Sequence, residues 1–114
     1  MLAKEYLSLM DGVNWTMVEA NPNVNNDIKV KLIKGFFDST FELRDKVDVF
    51  VHSHVFEHMY EPNEFISNIS GFLNKDELHI LSIPRMQVML EQGYTNCINF
   101  EHTFLLTEIF IDFI

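Results

Sequence analysis

The dipeptide Glu57-His58 combines two side-chain types that enzymes use to move protons. An imidazole with a pKa near ~6.5 can accept a proton from a hydroxyl or an amine at neutral pH. A neighbouring carboxylate can orient such a ring where the backbone allows it, although adjacent residues of a helix do not face each other. The pair therefore predicts either a catalytic acid–base site or a structural element that holds its own loop.

Glu19 offers a second kind of chemistry, because it ends the segment Trp15–Val18, whose residues predict a β-strand. In doubly wound sheets, an acidic residue at the carboxyl end of a strand accepts hydrogen bonds from the ribose hydroxyls of a nucleotide cofactor. The alternative is a solvated loop carboxylate. The nucleotide interpretation is open to several enzyme classes, including nucleotide-dependent oxidoreductases.

Hydrophobic periodicity predicts the elements that must position these side chains. Strand patterns occur at residues 15–19, 29–33, 48–53 and 78–83. Helices are predicted at residues 2–10, 62–73 and 86–92 and after the N-cap Thr107, with a short helical turn at 39–44. The run Val49-Phe50-Val51 is apolar on both faces, as in a strand that helices cover on both sides. Strands separated by helices indicate an α/β fold with a mainly parallel sheet.

The composition fits one small domain covering residues 1–114, with 47% hydrophobic and 22% charged residues. A formal net charge of −9 argues against nucleic acid or an anionic membrane as a partner and favours a small molecule. The single cysteine, Cys97, cannot form an internal disulfide, and no Cys/His spacing suggests a structural zinc. No apolar run approaches the ~20 residues of a membrane span. These features predict a cytoplasmic protein.

Three stretches in the same order resemble class I S-adenosylmethionine-dependent methyltransferases, most closely the branch that acts on sugars and similar metabolites. They are Val18–Pro22, Asp48–Pro62 and Leu73–Pro84. The resemblance spans residues 2–108 and implies a partial Rossmann-like methyltransferase fold, with a mainly parallel sheet flanked by helices. The family opens with a Gly-x-Gly-x-Gly loop, whereas no glycine precedes Gly12. The resemblance therefore implies a truncated domain that lacks this loop.

The resemblance also assigns residues to a site for S-adenosylmethionine. The positions that it places along the cofactor are Glu19, Ala20, Phe36, Phe37, His52, Ser53 and His54. Related N-methyltransferases use a Glu-His pair in catalysis where this chain has Glu57-His58. The segment Phe100-Glu101-His102-Thr103 is similar to one in sugar methyltransferases whose histidine acts near the acceptor. His102 is therefore the expected general base, and a residue that merely caps the following loop is the alternative.

The expected function is methyl transfer from S-adenosylmethionine to a small molecule such as a sugar. A non-catalytic methyltransferase-like remnant, or a binding module, is the alternative. An incomplete sheet would expose apolar surface and unpaired strand edges. The sequence therefore also predicts a homo-oligomer, such as a homodimer.

Overall fold

A computed structural model of the chain describes residues 2–23, 28–95, 101–103 and 106–113. The chain divides into two compact units, Met1–Phe41 (unit 1) and Glu42–Ile114 (unit 2). Each unit contains one pair of parallel strands, and the described residues include four α-helices. The predicted α/β class with parallel strand pairing is confirmed.

Unit 1 contains helix α1 (Leu2–Leu9) and strands β1 (Thr16–Glu19) and β2 (Lys31–Lys34). The two strands pair in parallel, with Met17 opposite Leu32 and Glu19 opposite Lys34. Helix α1 ends at Leu9, one residue before the predicted end, and Gly12 follows with a φ of 77°, in the left-handed region that glycine adopts without strain.

The segment after β2 differs from its prediction, because no helix forms at residues 39–44. Instead, the Thr40 amide donates to the Asp38 carboxylate over 2.9 Å, and the Phe41 amide donates to the Asp38 carbonyl over 3.0 Å. A short polar side chain that hydrogen-bonds to the backbone two residues on competes with helix formation. The Thr40 hydroxyl also donates to the Asp38 carboxylate, over 2.7 Å, and this bond together with that of the Thr40 amide holds the pKa of Asp38 below its ordinary value.

Unit 2 begins with a strand–helix–strand unit. Strand β3 (Val49–Ser53) leads through a 3₁₀ turn (Phe56–His58) into helix α2 (Pro62–Phe72), which returns the chain to strand β4 (Leu78–Ser82). The strands pair in parallel, with Phe50 opposite His79 and His52 opposite Leu81. Proline suits the first turn of α2, because the amide hydrogen that it lacks would have no partner within the helix.

Helix α2 supplies much of the core of unit 2. Phe65 and Ile69 lie one turn apart on one face and are both buried, and the Phe65 ring lies 5.3 Å from the ring of His52 on β3. Phe56 is also buried, and its ring centroid lies 6.0 Å from that of Phe65. Burying each such side chain contributes roughly 1.5–3 kcal/mol. The apolar stripe predicted for this helix is therefore the face that packs on β3.

Among the described residues of unit 2, the other face of the β3–β4 pair is only partly covered, contrary to the prediction from Val49-Phe50-Val51. Val49, Leu78 and Ile80 are 42%, 58% and 49% exposed. Alternate residues of a strand point to opposite faces, so α2 can cover only the side chains that alternate with these. The prediction of a homo-oligomer was based on exposed apolar surface of this kind. The homo-oligomer itself stays a prediction.

Two short helices follow in unit 2, α3 (Met86–Glu91) and α4 (Glu108–Phe113). Helix α3 ends at Gly93, whose φ is 70°, and the amides of Gly93 and Tyr94 donate to the carbonyls of Leu90 and Met89. This pair of bonds is a Schellman C-cap. Thr107 accepts a bond from the Phe110 amide at 3.4 Å, which confirms the predicted N-cap of α4. Within the described residues, every helix is too short or too polar to cross a membrane.

Candidate functional site

The loop after β3 supplies the first residues of the candidate site. The His54 amide donates to the Ser82 carbonyl over 2.8 Å, which extends the parallel ladder, and His54 then turns the chain with a φ of 52°. Such a value is uncommon for a residue other than glycine and is concentrated at functional positions. The 3₁₀ turn that follows places Glu57 inside the unit, where only 1% of its surface is exposed.

Residues 101–103, more than 40 positions further along the chain, are hydrogen-bonded to this loop. The Thr103 amide donates to the Glu57 carbonyl over 2.9 Å, and the Thr103 hydroxyl donates to the Met59 carbonyl over 2.6 Å. The hydroxyl also lies 3.2 Å from the Glu57 carbonyl. These contacts fix the backbone of residues 101–103 beside the 3₁₀ turn. His102 therefore lies next to the Glu57-His58 pair.

The two histidines of this region lie edge to face, with the ring centroids of His58 and His102 5.0 Å apart. Nδ1 of His58 lies 3.0 Å from the Glu101 carbonyl oxygen. A carbonyl can only accept, so Nδ1 of His58 carries the proton and Nε2 of the neutral ring keeps its lone pair. Glu57, His58 and His102 each contribute one donor atom to a group in which all these atoms lie within 4.8 Å of one another.

Two atoms of this cluster are buried and have no partner among the described residues: Oε2 of Glu57 and Nδ1 of His102. Oε1 of Glu57 lies 3.2 Å from Nδ1 of His54, so one carboxylate oxygen is engaged and the other is not. A buried polar atom without a partner costs roughly 1–3 kcal/mol. Such atoms commonly mark a site for a proton, water, ion or ligand. This arrangement can therefore hold a proton or a cation.

A second pair of histidines lies deeper, between β3 and β4. Nε2 of His52 is 3.0 Å from Nε2 of His79, and the His52 ring packs against the rings of Phe50, Phe56 and Phe65. Burial, reinforced by His79 and partly offset by Glu57, lowers the pKa of His52 to about 4. Burial also lowers the pKa of His79. Both rings are therefore neutral at pH 7, and one donates Nε2–H to the other.

The predicted cofactor residues of unit 2 have different surroundings. His52 is buried within this aromatic cluster, whereas Ser53 and His54 are exposed at the end of β3. Within unit 1, Glu19 is exposed at the carboxyl end of β1, and its Oε1 accepts a hydrogen bond from the Asn21 amide at 3.2 Å. Their contact with a cofactor stays a prediction.

The remaining predicted cofactor residues also lie in unit 1. Ala20 is half-buried directly after Glu19, and Phe36 is exposed. Phe37 is half-buried, with its ring 5.3 Å from that of Phe41. Phe100, the first residue of the predicted acceptor segment, and Cys97 lie outside the described residues.

Sequence reasoning missed His79 and the metal-ligating potential of the cluster. Strand alternation offered a signal for His79, because it lies on the same face of β4 as Leu81. The donor set has no local signal, because His102 lies 44 residues beyond His58 and meets it only through the fold. Metal motifs readable from sequence depend on short, fixed spacings.

Comparisons with known proteins return no relative. No protein-family model, no curated protein and no solved structure matches the chain. The function of the site must therefore be argued from its own residues and geometry.

Proposed function

We propose that this chain acts in the transfer of a methyl group from S-adenosylmethionine to a small molecule such as a sugar, on a Rossmann-like scaffold. Support comes from the three sequence stretches that resemble that family and from the α/β architecture with parallel strand pairing. The net charge of −9 fits a small-molecule acceptor better than a nucleic acid.

One observation carries the proposal. Two segments predicted separately to act in catalysis, Glu57-His58 and Glu101-His102, come together in the fold. Their contact rests on hydrogen bonds to Glu57 and Met59 from Thr103, which belongs to the same predicted segment. Such a convergence is expected of residues that handle one proton together, and it is not required by a solvated loop.

In this mechanism His102 is the general base. When bound, S-adenosylmethionine supplies an electrophilic methyl group. The acceptor atom would give up its proton to His102 as it bonds to the methyl carbon, while the methyl–sulfur bond breaks and its electron pair stays on the leaving S-adenosylhomocysteine; His102 would have to hold the acceptor in line for this displacement. A carboxylate of Glu57 within 4.8 Å stabilises the imidazolium that forms, by roughly 3 kcal/mol at an effective dielectric constant of about 20. The Glu101 carbonyl keeps the His58 ring in a fixed orientation.

Unit 1, taken by itself, carries side chains of the types that recognise an adenosine moiety. The exposed carboxylate of Glu19 stands at the carboxyl end of a parallel strand, where the ribose hydroxyls of a nucleotide find their acceptor in doubly wound folds. Phe36 offers an exposed ring on which adenine could stack. These are the chemical requirements for recognising the adenosine moiety.

The proposal is tested by calorimetric titration of the untagged chain with S-adenosylhomocysteine in EDTA. We expect saturable one-to-one binding that Glu19→Gln weakens roughly tenfold or more, because it removes hydrogen bonds to a charged acceptor. Glu42→Gln, which changes an exposed carboxylate of unit 2, is the matched control and should leave binding unchanged. In assays with sugar acceptors, His102→Gln should lower turnover by about 10²–10⁴-fold.

The two readouts separate the roles. His102→Gln should leave the affinity for S-adenosylhomocysteine within about twofold, because a base acts on the acceptor. A folded chain that binds no S-adenosylhomocysteine would overturn the proposal and favour a non-catalytic remnant. Cofactor binding with unchanged turnover in His102→Gln would remove His102 from the mechanism.

A further inference from the structure

The donor cluster of Glu57, His58 and His102 has the composition of a transition-metal site. Two imidazoles and one carboxylate are the protein ligands of several catalytic zinc centres, which keep a fourth position for water or substrate. Imidazole nitrogen is a ligand that zinc prefers and that magnesium and calcium do not. Two imidazole donors therefore favour a transition-metal ion such as Zn²⁺ over Mg²⁺ or Ca²⁺.

Each of the three residues has a lone pair left for a metal. His58 donates its Nδ1 proton to the Glu101 carbonyl, so Nε2 is the available nitrogen. Oε1 of Glu57 is engaged with His54, whereas Oε2 is buried without a partner among the described residues. Nδ1 of His102 is likewise buried and, within that part of the chain, unpartnered.

The surroundings are those that orient metal ligands in proteins. A ligating histidine nearly always donates its other ring N–H to a carbonyl or a carboxylate, as His58 does to Glu101. A ligating carboxylate is itself held by a hydrogen bond, as Glu57 is by His54. No hydrogen bond joins the side chains of the three donors to one another in the described residues, so the cluster is not a closed polar network.

We propose that Glu57, His58 and His102 bind one divalent transition-metal ion of the Zn²⁺ class, with a fourth coordination position open. Bonds of about 2.1 Å in tetrahedral geometry place ligand atoms roughly 3.4 Å apart. One ligand atom from each residue lies within 4.8 Å of those of the other two, so the side chains must move closer together to reach this spacing around an ion. The ion compensates the Glu57 carboxylate, whose burial alone is costly.

This inference goes beyond methyl transfer and does not depend on it. A bound ion would use the lone pair through which His102 acts as a base. In the metal-loaded chain, the ion would lower the pKa of a coordinated acceptor hydroxyl, and the proton would go to solvent instead of to His102. Zinc binding can be measured without methyl donor or acceptor.

The test is titration of the untagged, EDTA-stripped 114-residue chain with Zn²⁺, followed by calorimetry, and with Co²⁺, followed by visible absorption. We expect saturable one-to-one binding of Zn²⁺ in excess Mg²⁺ and a Co²⁺ spectrum of a four-coordinate site. His58→Ala and His102→Ala should each weaken Zn²⁺ binding at least ~10-fold, as should Glu57→Gln. His79→Gln, which changes a histidine of unit 2 outside the cluster, should leave affinity unchanged.

The variants remain informative because His102→Ala retains the contacts that dock its segment, which come from Thr103 and the Glu101 carbonyl. Circular dichroism of each metal-free variant checks its fold. Absence of saturable Zn²⁺ binding by the folded wild-type chain would overturn the proposal. So would binding that survives His102→Ala and is lost in His79→Gln. S-Adenosylhomocysteine binding is measured in EDTA, without metal, and Zn²⁺ binding is measured without S-adenosylhomocysteine. A negative result in one titration therefore does not affect the other proposal.

Discussion

Units 1 and 2 are each organised around a pair of parallel strands, yet they bury very different amounts of side chain. Among the described residues of unit 1, only Ala3 is buried. The buried residues of unit 2 are His52, Phe56, Glu57, Phe65, Ile69, Met86 and Leu106. Strand pairing is therefore the same in kind in both units, while the packed core belongs to unit 2.

The difference follows from what connects the strands. Helix α2 lies between β3 and β4 in the sequence and packs its apolar face on their shared surface. The connection from β1 to β2 contains no helix in its described residues, 20–23 and 28–30. Parallel sheets depend on such crossover helices for their cover. A core forms in this chain where the connection returns over the strands.

The difference in packing between the two units is tested most directly by the same substitution, isoleucine to alanine, in each unit. Ile69→Ala deletes a side chain that is 2% exposed, and it should destabilise unit 2 by about 2–5 kcal/mol. Ile33→Ala makes the same change at a half-buried position in β2, where less apolar area is lost from contact, and should cost less. Urea denaturation, with amide exchange to assign the effect to each unit, measures both.

Equal losses from the two substitutions would contradict the comparison. They would mean that β2 contributes as much packing as α2 does. If Ile69→Ala instead lowers amide-exchange protection in unit 2 alone, the difference between the units is supported, because they then unfold separately.

The sequence predicted the elements well where a local signal decides. Pro62 at the start of α2 and Thr107 before α4 each satisfy a requirement of a helix end that neighbouring residues alone determine. The prediction for residues 39–44 was wrong because the Asp38 side chain captured the Thr40 amide. That competition depends on side-chain geometry and not on hydrophobic period.

The site was predictable as separate residues and not as a cluster. Glu57, His58 and His102 each stood out by residue type, but their proximity depends on bonds from Thr103 to carbonyls 44 and 46 residues away. The contact between the His52 and His79 rings depends on strand register in the same way, because it joins residues that are not opposite each other in the ladder. Contacts of this kind are absent from any local pattern, so only the fold reveals what the residues can do together.

A pH change should act on unit 2 through His52, which is 8% exposed and has its pKa lowered from 6.5 to about 4. The unfolded chain takes up this proton first, so the contribution is complete above pH 6.5 and is lost as the pH falls towards 4. Between pH 7.5 and pH 5 the loss should reach about 2 kcal/mol. The lowered pKa of His79 acts in the same direction.

Denaturation of wild-type and His52→Leu chains at the two pH values tests this. The variant should lose clearly less stability than the wild type on acidification. A His52→Leu chain with an unchanged pH dependence would assign the effect to other groups.

The smallest expected effects come from glycines that differ only in backbone conformation. Gly93 has a φ of 70°, and a methyl group there would meet no atom within 4 Å, so Gly93→Ala should cost about 1–2 kcal/mol through the backbone alone. Gly71 lies inside α2 with equally open surroundings and no positive φ, so Gly71→Ala should stabilise unit 2 by up to about 1 kcal/mol.

Gly12→Ala places a methyl group at the positive φ of 77° in unit 1. The substitution should speed amide exchange in α1 and leave the amides of β3 and β4 protected, because the core lies in unit 2. Faster exchange in β3 after Gly12→Ala would show that the two units share their stability.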